Sequence, residues 1–239
     1  MASSQDSIYE RLHFESRPDV AETLVELALS FVSDHRQPRL LDLGCGTGAV
    51  SITALTRRSD LTAVALDISP ANVVSTRAAA AKPGVSDRLT IVCADYMRWQ
   101  GGSFDLIVSD SVLQLIEARD IDLIRRLAAD LLPNGHLVAT MPFDCWANSV
   151  RILLRRMWRG LPPATDRWVA VMAQRLYSEF SSEFLAERLS YLRITPVRLL
   201  NEQLLAEFHR HGLRLVKQSL WPSPSAAKLD HKLLVWKKR

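Results

Sequence analysis

Residues 40–48 read Leu-Leu-Asp-Leu-Gly-Cys-Gly-Thr-Gly, a short apolar strand that ends in three alternate glycines and runs directly into a helical segment over residues 49–56. A strand that must turn at once into a helix needs residues able to take positive φ. Gly44, Gly46 and Gly48 supply them and leave the backbone open to close approach. Dinucleotide-binding turns separate their last two glycines by two residues to seat a pyrophosphate at the helix N-terminus. Here a single residue, Thr47, separates them, which favours a nucleotide-like ligand without a pyrophosphate.

Apolar runs alternate with longer amphipathic stretches over residues 39–141, the rhythm of βαβ units and a parallel sheet. Further strands are expected at residues 61–66, closed by Asp67, and at 89–93, closed by Ala94-Asp95-Tyr96. Two more follow at 104–108, ahead of Ser109-Asp110, and at 137–140, after the turn Leu132-Pro133-Asn134-Gly135. Residues 19–32 carry Val20, Leu24, Leu27, Ala28 and Phe31 at helical spacing with Pro18 as a first-turn residue, and this helix is expected over the ligand end of the sheet. Residues 144–196 break the rhythm with Leu161-Pro162-Pro163 and otherwise read as helices rich in arginine and aromatics, an inserted lid. Asn201 caps a helix through Leu204, Leu205 and Phe208 that stops at Gly212, and residues 213–220 and 232–236 read as closing strands with a loop at 222–225 between them. The domain plan is therefore a core over residues 1–143, a lid over 144–200, and a last helix with closing strands over 201–239.

A chain of 239 residues, 48% hydrophobic and 23% charged, suits one well-buried α/β domain with an insertion. Its first seven residues lack a basic segment leading into an apolar run, and no apolar stretch reaches the roughly 18 residues that span a bilayer. A cytoplasmic protein with no membrane partner is expected. Cys45, Cys93 and Cys145 fit no zinc spacing, so they read as reduced thiols and no metal is expected. The net charge of +4 is too small for a dedicated nucleic-acid binder. It is concentrated: residues 144–200 hold nine arginines against five acids, an excess equal to the whole net charge.

The order of these motifs resembles the class I S-adenosylmethionine-dependent methyltransferases over residues 8–143, and more loosely beyond. The resemblance implies an α/β, Rossmann-like fold: a seven-stranded, mostly parallel sheet with helices on both faces and a helical lid insertion after strand 5. It implies S-adenosylmethionine as cofactor. By motif position Gly44, Gly46 and Gly48 would back its methionine and ribose portions, Asp67 would accept from the ribose hydroxyls, and Ile68 would lie against the adenine. Asp95 would accept from the adenine amino group or cap a helix, while Tyr96 would supply a backbone N–H and an aromatic wall. The carbonyl of Ser109 would meet the methionine amino group, and Arg17 would pair with the methionine carboxylate or stand as a surface arginine. Asp42 orders the glycine turn or a water beside it.

Within that family the chain is similar to the trans-aconitate type of carboxyl methyltransferase. The shared features are Tyr9 with His13 ahead of Ser16-Arg17-Pro18, Ala94-Asp95 followed by Trp99, Val112-Leu113-Gln114, and Met141-Pro142 followed by Trp146. Leu115 stands where that type often has tryptophan, so the substrate does not transfer. The resemblance implies Tyr9 and Trp146 as lining of an acceptor pocket, Gln114 as donor to an acceptor oxygen, and His13 as either a base or a packing residue. Arg151, Arg155 and Arg159 share one helix face opposite Leu153, Leu154 and Met157; turned inward they hold an anionic acceptor, turned outward they form a solvated face. A carboxylate, with pKa about 4, needs no base, whereas a phenol near 10 or a protonated amine must first lose a proton. Asp110-Ser111 lacks the two prolines and the aromatic that enzymes methylating exocyclic amines carry there.

The function so implied is methylation of a small metabolite at an oxygen or carboxylate. Small-molecule N-methylation, RNA methylation and a non-catalytic cofactor-binding partner subunit are the alternatives. His136, His209 and His211 read as structural, and His35 and His231 offer no sequence argument. Nothing in the chain encodes an oligomeric state.

Overall fold

The computed structural model of the chain describes residues 18–175, 189, 191–221 and 228–239. Tyr9, His13, Arg17 and the loop at 222–225 lie outside the described residues. Alternation along the strands sorts their side chains onto two buried faces. In β1 (Arg39–Leu43), Leu40 enters one apolar cluster and Leu41 and Leu43 the other; in β4 (Phe104–Asp110), Leu106 and Val108 are divided in the same way from Phe104 and Ile107. Helices α1 (Pro18–Ser30), α2 (Ala49–Arg57) and α3 (Pro70–Ala81) cover the first face. Helices α4 (Asp120–Asp130) and α7 (Glu202–Arg210) cover the second. Each leucine buried in this way contributes roughly 1.5–3 kcal/mol relative to an exposed one.

The sheet has seven strands in the order β3-β2-β1-β4-β5-β7-β6. Strands β2 (Thr62–Asp67), β3 (Leu89–Cys93) and β5 (Leu131–Pro142) run parallel with β1 and β4. Strand β7 (His231–Lys238) lies antiparallel to β5, and β6 (Leu213–Trp221) antiparallel to β7. The seven-stranded, mostly parallel sheet expected from the sequence is therefore present. Because the chain leaves β1 toward β2 and β3 and then crosses back to β4, the strand order reverses between β1 and β4. That reversal opens a crevice at their carboxyl ends.

Two expectations need correction. Strand β5 starts at Leu131, six residues earlier than alternation suggests: Phe104 pairs with Leu131 but Leu106 with His136, so the Pro133-Asn134-Gly135 turn is a bulge inside the strand, with Asn134 at φ 64°. Helix α1 lies along the sheet and not over its ligand end. Just past it Phe31 stacks on His136 with ring centroids 4.6 Å apart, and His35 Nδ1 is 2.9 Å from Asp105 Oδ1, both at the amino ends of β4 and β5. Burial of Ala21, Leu24, Val25 and Ala28 against the sheet fixes this course.

At the end of β5 the chain enters α5 (Trp146–Arg159) and α6 (Ala164–Gln174), passes a short turn at Tyr191–Arg193, and rejoins the core at α7. The two ends of this insertion are tied to each other: Leu200 N donates to Pro142 O at 2.8 Å and Asp144 N to Leu200 O at 2.9 Å. Asn201 then caps α7 as expected, its Oδ1 accepting from Leu204 N at 2.8 Å. No helix among the described residues is long and apolar enough to cross a membrane.

Candidate active site

The glycine turn sits at the carboxyl end of β1 with Gly44, Gly46 and Gly48 at φ 76°, 55° and 82°. Gly44 N donates to Leu66 O at 2.8 Å and Thr76 Oγ1 to Gly46 O at 2.9 Å, which fixes the turn to β2 and α3. At two of the positions the glycine also makes room for the protein itself. A Cβ on Gly44 would meet Val112 Cγ2 at 2.3 Å, and one on Gly48 would meet Thr76 Cγ2 at 2.6 Å.

Two buried carboxylates support this turn. Asp42 Oδ2 accepts from Ser51 N at 3.0 Å in the first turn of α2. Asp67, at the end of β2, accepts from Gly46 N through Oδ2 and from Ser69 N through Oδ1, each at 2.8 Å. The Asn72 side chain and the Ile68 backbone also hydrogen-bond to this carboxylate, so a ligand's hydroxyls would share it with them. Ile68 follows it with its side chain 44% exposed, an apolar surface presented beside that carboxylate. Burial raises the Asp67 pKa and carries that of Asp42 to about 7, with Asp67 and Asp110 adding repulsion to Asp42. Burial likewise pushes the Cys45 thiol up, away from the nucleophilic thiolate.

Asp42 has a pH consequence. From its ordinary value of 3.8 up to about 7 the folded chain keeps a proton that the unfolded chain has released. Its contribution to stability is thus fully present below 3.8 and is lost as pH rises through about 7. Asp42→Asn keeps an acceptor for Ser51 N and should flatten this part of the stability–pH curve in denaturant titrations. An unchanged slope in the variant would contradict the assignment.

Asp95 and Tyr96 close β3. Asp95 Oδ1 accepts from Met97 N at 2.9 Å in a turn, with no helix after it to cap as its alternative required, and Oδ2 stands 3.5 Å from Arg98 Nε. Tyr96 does not wall a ligand pocket. Its ring is buried in the second apolar cluster, its hydroxyl donates to Asp130 Oδ2 at 3.0 Å, and Arg126 lies 5.5 Å from the ring centroid. Ser109 is fully buried in β4 and its Oγ has no partner among the described residues.

Beyond the reversal, Asp110 ends β4 and receives Thr140 Oγ1 of β5 at 2.5 Å and Ser111 Oγ at 3.1 Å. Ser111 takes φ 60°, unusual for a non-glycine residue, as the chain leaves the sheet. Gln114 Nε2 donates to Ser111 O at 2.7 Å while its Oε1 is buried with no partner among the described residues, so Gln114 offers an acceptor, where the sequence suggested a donor. His231 opens β7 in register with Pro142. Its Nδ1 lies 2.6 Å from Leu229 O, and Nε2 is buried with no partner among the described residues.

Helix α5 turns its arginine face toward the protein. Arg151 pairs with Asp230 at 2.8 Å, Arg155 Nη1 donates to Ile194 O at 3.2 Å, and Arg159 Nη1 to Thr195 Oγ1 at 3.1 Å. The opposite face is the exposed one, with Leu153, Leu154 and Met157 each more than half exposed. Trp146 is 82% exposed and encloses no pocket. A groove of about 450 Å³ runs between α5 and the 196–201 segment, lined by Ser149, Arg156 and Arg198 among others, and does not reach the glycine turn. No cluster of metal-ligating side chains occurs among the described residues. No sequence spacing marks Asp110, Thr140 and His231 as one site; the available signal is a polar residue at each of three adjacent strand ends.

A reversed parallel sheet, a glycine turn after β1 and a carboxylate closing β2 define the class I S-adenosylmethionine-dependent methyltransferase architecture. Residues 40–135 match the family described as a methyltransferase domain. The chain is 32% identical over 174 residues to a trans-aconitate 2-methyltransferase of Methylobacterium radiotolerans, covering 72% of this chain and 60% of that one. It is 36% identical over 97 residues to a release factor glutamine methyltransferase of Bradyrhizobium diazoefficiens, covering 39% of this chain and 32% of that one. This chain therefore spans between 32% and 60% of the length of these two relatives. The N-methyltransferase NodS of Bradyrhizobium japonicum WM9, solved with S-adenosylhomocysteine, superposes with TM-score 0.58 at 16% identity over 92% of this chain and 86% of its own, a likeness of fold alone. Residues 40–135 thus match a methyltransferase domain, and the chain shares the Rossmann-like fold of the methyltransferases it superposes on.

Proposed function

We propose that the chain transfers a methyl group from S-adenosylmethionine to an oxygen, carboxylates included, of a small-molecule acceptor held over the carboxyl ends of β4 and β5 beside α5, in the cytoplasm. One observation carries this reading. Along a single edge of the sheet, in the spatial order β2, β1, β4, β5, β7, stand Asp67, Asp42, Asp110, Thr140 and His231, nearly all of them buried. Such a row is unfavourable for folding alone and is what a polar ligand site requires.

When bound, S-adenosylmethionine supplies an electrophilic methyl carbon on a sulfonium leaving group. The residues present fit it: Asp67 would accept from the ribose hydroxyls, Ile68 would lie against the adenine, and the turn at Gly44, Gly46 and Gly48 would back the methionine and ribose portions. Asp95 and the Ser109 carbonyl complete the cradle. Arg17 at the methionine carboxylate, and Tyr9 and His13 at the acceptor, extend the same reading. Arg151 and Arg155 bring positive charge to the acceptor side, and α5 helps exclude water there, so the chain's work is alignment and desolvation.

Asp67→Ala should weaken S-adenosylmethionine binding by about tenfold or more, since charge-assisted hydrogen bonds are worth about 1.5–3 kcal/mol. Calorimetric titration checks this, and unchanged affinity would remove the ribose assignment. The reaction itself is tested by incubation with methyl-labelled S-adenosylmethionine and pooled carboxylic acids, phenols, amines and RNA. Label lost to mild alkali marks a methyl ester, and label that persists marks an ether or amine. Label in RNA that falls steeply with salt marks an RNA enzyme. Cofactor binding with no labelled product marks a non-catalytic subunit.

A further inference from the structure

His231 is 5% exposed and sits where β7 meets the carboxyl end of β5. A backbone carbonyl only accepts, so the 2.6 Å contact with Leu229 O places the ring proton on Nδ1 and leaves a lone pair on Nε2. That lone pair has no partner among the described residues. Alternation along β7 puts His231 on the face of Leu233 and Val235, the face that Leu106, Val108 and Val138 share, so the ring stands on the same side of the sheet's carboxyl end as Asp110 and Thr140, the acceptor side of the proposed site. Burial, with Lys228 and Arg155, outweighs the hydrogen bond to Leu229 O and the charge of Asp110 and lowers its pKa to about 4, which keeps the imidazole neutral. Gln114 Oε1, on the segment leaving β4, is a second buried acceptor with no donor among the described residues. Two unsatisfied acceptors repel a bare carboxylate and welcome a group that carries its own proton.

We propose that His231 is a specificity-determining residue for the methyl acceptor, its Nε2 accepting a hydrogen bond from a hydroxyl that becomes methylated. The inference rests on the methyl-transfer reading above and narrows it to a hydroxyl-bearing acceptor. In the transfer the acceptor oxygen bonds to the methyl carbon, the carbon–sulfur bond breaks with its electron pair returning to sulfur, and the hydroxyl proton is released to solvent, while Nε2 orients the oxygen without keeping its proton.

Two substitutions separate this role from a structural one. His231→Asn keeps an amide N–H for Leu229 O and loses the acceptor at Nε2; His231→Gln can place an amide oxygen there. Both should melt close to the native temperature. Methyl transfer to pooled phenols and hydroxy acids should fall about tenfold or more in His231→Asn and largely survive in His231→Gln. In ¹⁵N-histidine spectra of the protein with S-adenosylhomocysteine, added 4-hydroxybenzoate should shift the His231 Nε2 resonance and benzoate should not. An alkali-labile product, or undiminished transfer by His231→Asn, overturns the assignment while methyl transfer stands. No label from any acceptor overturns the methyl-transfer reading itself. The spectra then judge His231 independently, and equal shifts with both probes, or none with either, overturn its role.

Discussion

Gly44→Ala is expected to destabilise the fold by about 2–4 kcal/mol and to weaken S-adenosylmethionine binding at least about tenfold. Two separable effects combine. At φ 76° an alanine is strained by the left-handed backbone, and its Cβ would stand 2.3 Å from Val112 Cγ2, closer than carbon atoms approach. Val112 belongs to the loop leaving β4, so relief of the contact shifts that loop across the crevice between β1 and β4. Adding Val112→Ala should recover the contact part and leave the backbone part, which chemical denaturation of the single and double variants can resolve. A Gly44→Ala chain as stable as the native one would mean that the turn does not hold this conformation.

Arg193→Ala should be as damaging, but locally. The guanidinium meets Asp166 through Nε at 2.7 Å and Nη2 at 2.9 Å, and its Nη1 donates to Leu161 O at 2.8 Å, so it ties the 191–193 turn to both ends of the α5–α6 connection. Trp158 Nε1 donates to the same carboxylate at 3.0 Å. Both side chains of the pair are 10% exposed. Removing one partner leaves a buried charge uncompensated, an effect of about 3–5 kcal/mol. Hydrogen exchange should show α5 and α6 losing protection while the sheet keeps its own. Replacing both residues by apolar ones, Arg193→Met with Asp166→Leu, should recover much of the loss. If the single variant protects α5 and α6 as well as the native chain does, the pair does not organise the insertion.

These two predictions also mark where the sequence could and could not be read. The strands are legible because alternation in Leu40-Leu41 or Leu106-Ile107 follows directly from which face each residue buries. The glycine turn and the Asn201 cap are legible because their chemistry is local. The direction of α5 is not: Arg151 and Arg155 are marked as one face by their spacing, but Asp230 and Ile194, which receive them, are distant in sequence and no spacing points to them. Tyr96 fails in the same way. A ring after a strand end reads as a ligand wall, and its actual partner, Asp130, lies 34 residues on. His231 was silent because its tautomer and burial come from Leu229 O and from register with Pro142, neither of which its own neighbours announce.

The most direct measurement is S-adenosylhomocysteine formation by the native chain from S-adenosylmethionine, with pooled small hydroxyl- and carboxyl-bearing acceptors in one vessel and RNA in another, and with Gly44→Ala in parallel. Product with the small acceptors, little with RNA and little from Gly44→Ala is the expected result. Tight cofactor binding without product from any small acceptor, or product only with RNA, would contradict a small-molecule methyltransferase.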